Sequence, residues 1–233
     1  MLKKLLAGCA ALAVAFAAAA ADDYPTHTIS VVVPFAAGGP TDTVTRLIGQ
    51  AMTKTLGQTI IVENAAGAGG TIGVEKVARA KPDGYTLLLM HIGISTAPSL
   101  YRNLRFDPTK DLEPIGLVTN VPMTVVANKD FPPKDMKELI AYVKANKDKV
   151  TYANAGVGAA SHLCGMLLMT AIGTDVTTVP YKGTGPALTD LMGGQVNFMC
   201  DQTTNTTPHI KAGKVKAYAV TTKERLKLLP DLP

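Results

Sequence analysis

Buried strands and amphipathic helices alternate along the first half of this chain. Val31 to Val33 are three consecutive β-branched residues, typical of a strand buried on both faces of a parallel sheet. Apolar residues then recur at helical spacing over about Thr41–Thr55, and Gly57 is placed to end that helix. Further strands are predicted at Thr59–Glu63 and Tyr85–Met90, and further helices at Ile72–Ala80 and near Pro98–Tyr101. This order predicts a parallel α/β sheet, in which ligands bind beyond the carboxyl ends of the strands.

The second half repeats the pattern after an interruption. Ile115–Val121 and Met123–Ala127 are apolar runs that predict strands, and Pro122 between them indicates a hinge or crossover because it has no N–H to donate. Helices are then predicted at Asp135–Ala145 (with Asp135 as its cap), His162–Ile172, Ala187–Met192 and Thr203–Ala212, and strands at Val150–Ala153, Val176–Val179, Val196–Cys200 and Val215–Val220. We therefore expect two α/β lobes that face each other across a cleft.

Residues 1–21 have the features of a secretory leader. Lys3 and Lys4 form a charged start, Leu5–Phe16 is apolar, and Ala19–Ala21 is a small-residue cleavage site. The apolar run is too short to span a membrane. We predict cleavage after Ala21 and export, to the periplasm if the host is Gram-negative.

Charge and cysteine content narrow the class of protein further. The net charge of +5 falls to +3 without the leader, and no Lys/Arg cluster with interleaved aromatic residues is present, so we expect no nucleic-acid partner. After the leader, Cys164 and Cys200 remain. In an oxidising compartment they form either a disulfide or two buried free thiols, and the sequence leaves both open.

Small residues follow the predicted strands and precede helices, as in anion sites. Residues Ala36 to Gly39 have almost no side chain, and Pro40–Asp42 has the residue types of a helix N-terminus. The alternative is an ordinary turn that needs small residues for packing. Gly67 and Gly69 begin a dinucleotide-like pattern, but Ile72 stands where its third glycine belongs, so no nucleotide cofactor is expected.

Several single residues have both a functional and a structural interpretation. Asp42 is either a ligand contact or a helix N-cap; Ser161 is either a ligand hydroxyl contact or an N-cap; Asp201 either binds an amino or hydroxyl group or caps the helix from Thr203; Lys182 either contacts a carboxylate or is solvated. His91, His162 and Cys164 are a conceivable metal or nucleophile set, but the His-x-Cys spacing is poor for zinc, so no metal site is expected.

Five motifs, in order along the chain, resemble those of one family. They are Pro34–Asp42, Glu63–Gly70 with its Gly67-Ala68-Gly69-Gly70 sequence, Lys81–Tyr85, Tyr152–Gly158 and Val179–Gly183. With these motifs the chain resembles the periplasmic solute-binding proteins of tripartite tricarboxylate transporters, the Bug receptors.

The resemblance implies a two-lobe Venus-flytrap fold of type II and a function without catalysis. The implied ligand is a small carboxylate (a di- or tricarboxylate, an acidic amino acid or an aromatic acid), and the implied partners are membrane permease subunits of a secondary transporter, with the receptor itself a monomer. The implied ligand contacts are Phe35, Ala37, Gly39, Thr41, Asp42, Ala66, Ala68, Asn154, Gly158, Ser161, Lys182, Gly183 and Asp201. The implied division is a first lobe over residues 22–122, a second lobe over 123–219, and a return towards the first lobe from 220 to 233.

The chain departs from the family at its end, since the family's sequence continues beyond the equivalent of Pro233 and completes the first lobe's sheet. We therefore expect a first lobe without its C-terminal return segment. Three alternatives stay open: a receptor that presents its ligand to a sensor kinase, a non-functional fragment, and an enzyme on the same scaffold that uses His162 or Cys164.

Overall fold

The computed structural model describes residues 24–233, so the predicted leader and its cleavage site lie outside the described residues. Two sheets organise this part of the chain. The first contains β1 (Ile29–Val33), β2 (Ile60–Asn64) and β3 (Thr86–Leu88) in the order β2-β1-β3, and all its strands are parallel. Its helices are α1 (Pro40–Leu56), a 3₁₀ turn at Ala68–Gly70, α2 (Thr71–Ala78) and α3 (Gly93–Leu100). This unit, the first lobe, confirms the predicted parallel arrangement.

The second sheet has five strands and is mixed rather than all parallel. Its strands are β4 (Met123–Asn128), β5 (Thr151–Asn154), β6 (Thr177–Pro180), β7 (Phe198–Gln202) and β8 (Val215–Val220), in the order β6-β5-β7-β4-β8. β4 is antiparallel to both β7 and β8. Its helices are α4 (Met136–Ala145), α5 (Ala160–Ile172), α6 (Thr184–Met192) and α7 (Thr203–Lys211). We call this unit the second lobe.

Both faces of the second sheet are buried. Side chains on successive strand positions point to opposite faces, so each strand contributes to two apolar clusters. On one face, Tyr152 and Phe198 meet edge to face with Leu139 and Val143 of α4 in the same cluster. On the other face, Met199 packs with apolar residues of α6. A disulfide joins Cys164 of α5 to Cys200 of β7, with their Cα atoms 6.1 Å apart. The structure thus resolves the choice left open by the sequence in favour of the disulfide.

The predicted strand at Ile115–Val121 is wrong. Residues 113–122 form neither helix nor strand, and Ile115 and Leu117 are 83% and 78% exposed. The described residues provide no strand to pair with this run, and an apolar sequence alone cannot create a sheet. The helix predicted near Pro98 is also displaced, since α3 begins five residues earlier, at Gly93, and contains Pro98 within it.

For three residues, the structure excludes the helix-cap alternative that the sequence left open. The N-cap of α1 is Gly39, and Asp42 is the third residue of the helix rather than its cap. The N-cap of α5 is Ala159, so Ser161 already lies inside the first turn. Asp201 does not cap α7 either, because Gln202 occupies that position. By contrast, Asp135 caps α4 as predicted, with its side chain accepting the backbone N–H of Glu138 at 2.8 Å.

Among residues 24–233, no helix combines the length and apolar character that crossing a bilayer requires.

Candidate functional site

The carboxyl ends of the strands in both lobes border one small cavity. It encloses about 20 Å³, little more than the space of a single water molecule. Its wall is formed by Phe35, Gly39, Pro40, Thr41, Asp42 and His91 of the first lobe and by Met123, Ala155, Ala160, Ser161, Thr184, Asp201 and Gln202 of the second. Pockets for drug-sized ligands measure some 300–1,000 Å³. The lobes must therefore separate before a ligand larger than water can enter.

Four helix N-termini converge on this cavity. α1 contributes its first three residues, α5 its first two, and α6 its first residue, Thr184; Gln202, the N-cap of α7, completes the set. The first N–H groups of a helix have no partner within the helix, and its N-terminus has a partial positive charge. The arrangement therefore favours an anionic ligand, although no Lys or Arg belongs to the wall formed by the described residues.

In the first lobe, a network of hydrogen bonds holds Asp42 in place. Its carboxylate accepts from the guanidinium of Arg46 through both oxygens, at 2.9 and 3.0 Å. It also accepts from the backbone N–H of Gly38 at 3.0 Å and from the side-chain amide of Asn64 at 3.0 Å. Burial by itself would raise the pKa of Asp42, but these hydrogen bonds outweigh it and lower the pKa. Asp42 is thus an ionised residue that shapes the loop Phe35–Gly39.

Asp201, which ends β7 in the second lobe, has a different environment. The side chain is 1% exposed, and its carboxylate accepts from the side-chain amide of Asn205 at 2.5 Å. Burial raises the pKa of Asp201 to about 6, while Asn205, the N–H of Gln202 and the nearby Thr184 hydroxyl only partly oppose that rise. The cavity wall therefore has two acidic side chains of different kinds: Asp42, whose ionised form is stabilised, and Asp201, whose ionised form is destabilised by burial.

His91 covers the first-lobe side of the cavity. Its ring stacks on Phe35 with centroids 4.7 Å apart, and its Nδ1 accepts the N–H of Gly93 at 3.1 Å. Burial lowers the pKa of His91 to about 4, so the imidazole is neutral near pH 7. A neutral ring adds apolar surface and a polar edge without a cationic charge.

The second-lobe loop over residues 154–161 uses several of its own polar groups internally. Ser161 Oγ accepts the N–H of Ala155 at 2.8 Å, and the Asn154 side chain accepts the N–H of Gly156 at 2.8 Å. His162 Nδ1 accepts the N–H of Gly158 at 3.2 Å. These bonds fix the shape of the loop.

Cys164 forms the disulfide described above, so it supplies no free thiol for an enzymatic role.

The structure brings part of the predicted ligand-contact set together. Phe35, Gly39, Thr41, Asp42, Ser161 and Asp201 line the cavity. Ala37 borders a separate outer groove, and Ala66, Ala68, Asn154, Gly158, Lys182 and Gly183 lie outside the cavity wall. The Lys182 side chain is exposed, whereas its backbone carbonyl accepts the N–H of Ala36 at 2.9 Å and so links the lobes.

The predicted set of ligand contacts omits Thr184 and His91, although both line the cavity. The predicted helix start at Ala187 left Thr184 in a loop, whereas it is the first residue of α6 and is buried in the wall. The signal was present, because Gly183 is of a residue type that is favoured at a helix N-cap.

Close backbone contacts hold the two lobes together around the cavity. The Tyr101 hydroxyl of the first lobe donates to the carbonyl of Val157 in the second at 2.7 Å. Gly69 lies against the same carbonyl: a Cβ atom at Gly69 would be only 2.0 Å from Val157 O. The end of β1 joins this contact, since Val33 and Phe35 pack with Ala155 and Ala159. The rim of the cleft is therefore built for tight closure.

Two α/β lobes with a shared cavity at their strand ends define the periplasmic-binding-protein fold. Residues 44–233 match the tripartite tricarboxylate transporter family receptor model, TctC, and the chain belongs to this family.

Two solved structures and one sequence relative support this family membership. BugD is 61% identical, with a TM-score of 0.88 over 90% of this chain and 70% of that one. MatC from Rhodopseudomonas palustris with bound malate is 48% identical, with a TM-score of 0.86 over 90% and 72%. An Agrobacterium vitis UPF0065 protein is 56% identical over 216 residues, which are 93% of this chain and 62% of the relative. The chain thus spans about two thirds of the length of these proteins.

Proposed function

We propose that this protein binds a small dicarboxylate of the malate type between its lobes and delivers it, in the periplasm, to the membrane permease of a tripartite tricarboxylate-type transporter. The convergence of four helix N-termini on one interlobe cavity carries the proposal. Backbone N–H groups and helix dipoles bind carboxylates without a salt bridge. The malate bound in MatC, whose fold this chain shares at 48% identity, supports this ligand class.

The proposal requires motion. A cavity of about 20 Å³ does not hold a dicarboxylate, so the lobes open to admit the ligand and close around it with a wider spacing at the cavity. Binding without catalysis is part of the proposal. Asp42 is fully engaged in structural hydrogen bonds, and Cys164 is disulfide-bonded.

Calorimetric titration of the purified chain with malate tests this function. We expect saturable binding, a raised melting temperature at excess malate because the ligand binds only the native state, and malate recovered unchanged by NMR. Absence of binding would contradict the ligand class, and chemical conversion of malate would contradict a pure binding function.

Gly39→Val locates the site. Glycine at this position has no positive φ, and a Cβ atom would lie 3.7 Å from Ala36 O, Gly185 N and Thr184 Oγ1. The branched valine methyl groups would extend beyond that contact into the cavity, so we expect loss of malate binding, with only a small fall in melting temperature because valine is a poorer N-cap than glycine. Gly116→Val, where a Cβ atom meets nothing within 4 Å, is the matched control. Malate binding by Gly39→Val equal to that of the control would place the site elsewhere.

A further inference from the structure

Two polar side chains of the second lobe meet at the cavity wall, opposite the loop that contains Gly39. Thr184 begins α6 and Asp201 ends β7, and they are only 5% and 1% exposed. The proximity of the Thr184 hydroxyl is sufficient to oppose the rise in the pKa of Asp201. Both side chains belong to the same wall.

The Thr184 hydroxyl is an uncommon feature of this wall. Its oxygen is buried and makes no hydrogen bond of normal length and angle among residues 24–233, although it lies close enough to Asp201 to oppose the rise in the pKa of that carboxyl. Buried hydroxyl groups in proteins are nearly always hydrogen-bonded, because burial without a partner loses the hydrogen bonds to water. A hydroxyl that is buried at a ligand cavity without a well-formed hydrogen bond is therefore placed to bond a ligand atom.

Asp201 restricts what that ligand atom can be. One carboxylate oxygen already accepts from Asn205, and a charged carboxylate repels a ligand carboxylate placed beside it. The ligand group next to Asp201 must therefore donate a hydrogen bond. A ligand hydroxyl meets both requirements with one oxygen, because it accepts from Thr184 and donates to Asp201.

We propose that Thr184 and Asp201 together recognise a hydroxyl substituent of the bound dicarboxylate, an inference that rests on the proposed function. The ligand carboxylates face the N-termini of α1 and α5, and the hydroxyl group faces the second-lobe pair. The protein therefore selects 2-hydroxy dicarboxylates over the unsubstituted dicarboxylates of the same length. A site whose polar groups pair with a ligand hydroxyl rejects an analogue that lacks it, because those groups are then left buried and unpaired.

Calorimetric titrations with L-malate, succinate and L-aspartate test this selection in the wild type and in Thr184→Val, with a matched control. We expect wild type to bind malate at least about 10-fold more tightly than succinate, the equivalent of one hydrogen bond to a charged group. In Thr184→Val, malate should lose about 10-fold in affinity while succinate changes less than about 2-fold. Thr189→Val, an exposed threonine on the same helix, should bind like wild type.

The outcomes separate the selection from binding itself. Equal affinity of wild type for malate and succinate, or an unchanged preference in Thr184→Val, would overturn the assignment of Thr184 while leaving dicarboxylate binding intact. Tighter binding of aspartate than of malate would overturn the hydroxyl as the recognised group in favour of an ammonium group. Failure of all three compounds to bind wild type would overturn the proposed function, and the selection with it.

Discussion

Gly69→Ala should interfere with closure of the lobes while leaving each lobe folded. Gly69 lies in the first lobe, and a Cβ atom there would be 2.0 Å from Val157 O of the second lobe and 2.5 Å from the Tyr101 hydroxyl. A carbon atom normally approaches an oxygen to about 3.3 Å at the closest. The rim must therefore open by about 1 Å or more, or the loop must distort.

The energetic effect has two parts. Gly69 has a φ of +61°, where alanine costs about 1–2 kcal/mol in any context. The overlap with Val157 adds about 1–3 kcal/mol, the usual cost of overpacking, and it acts only when the lobes are in contact. A bias of that size against the closed form corresponds to a loss of affinity of about 5- to 150-fold.

Gly57→Ala is the matched control, because Gly57 has nearly the same φ, +67°, and a Cβ atom there meets nothing within 4 Å. Malate affinity is measured by calorimetry, since the chain has no Trp to report closure by fluorescence. The radius of gyration, measured by small-angle scattering with and without malate, reports closure directly. We expect compaction on binding in Gly57→Ala and reduced compaction in Gly69→Ala. If the two variants bind and compact alike, the rim contact plays no part in closure.

Three further predictions concern the second lobe and the rim. Asp201→Asn should raise the melting temperature at pH 7.5 by several degrees, equivalent to roughly 1–3 kcal/mol, because burial raises the pKa of Asp201 to about 6. The contribution of protonated Asp201 to stability is complete below the unfolded-state pKa near 4 and is lost as the pH rises through 6, so the advantage of the variant should vanish near pH 4. Reduction of the Cys164–Cys200 disulfide, which spans 36 residues, should lower the free energy of unfolding by about 3–4 kcal/mol in urea titrations. Tyr101→Phe removes the 2.7 Å hydrogen bond to Val157 and should weaken malate binding about 2- to 10-fold by calorimetry.

Each of these expectations has a decisive contrary result. An equal stability difference between Asp201→Asn and wild type at pH 4 and pH 7.5 would show that Asp201 has no raised pKa. An unchanged urea midpoint, with both thiols shown to be free by labelling, would remove the disulfide from the stability of the fold. Wild-type affinity in Tyr101→Phe would show that its hydroxyl is dispensable for closure.

The sequence by itself determined the elements whose signals are local. The first helix was predicted at Thr41–Thr55 and found at Pro40–Leu56, because proline at its first position and a left-handed glycine after its end act within a few residues. The Asp135 cap was predicted correctly for the same reason. Family membership likewise followed from five short motifs, each of which can be read without a partner.

Only the tertiary structure decided what depends on a neighbour. The apolar run at Ile115–Val121 is exposed, because a strand needs an adjacent strand that the described residues do not provide. Thr184 became a candidate ligand contact through its position beside Asp201, which is 17 residues away in the sequence. Cys164 and Cys200 form a disulfide because α5 packs on β7 and brings their Cα atoms within 6.1 Å. Pairing, burial and the convergence of the helix N-termini are properties of distances between remote residues, and those distances are fixed by packing rather than by local pattern.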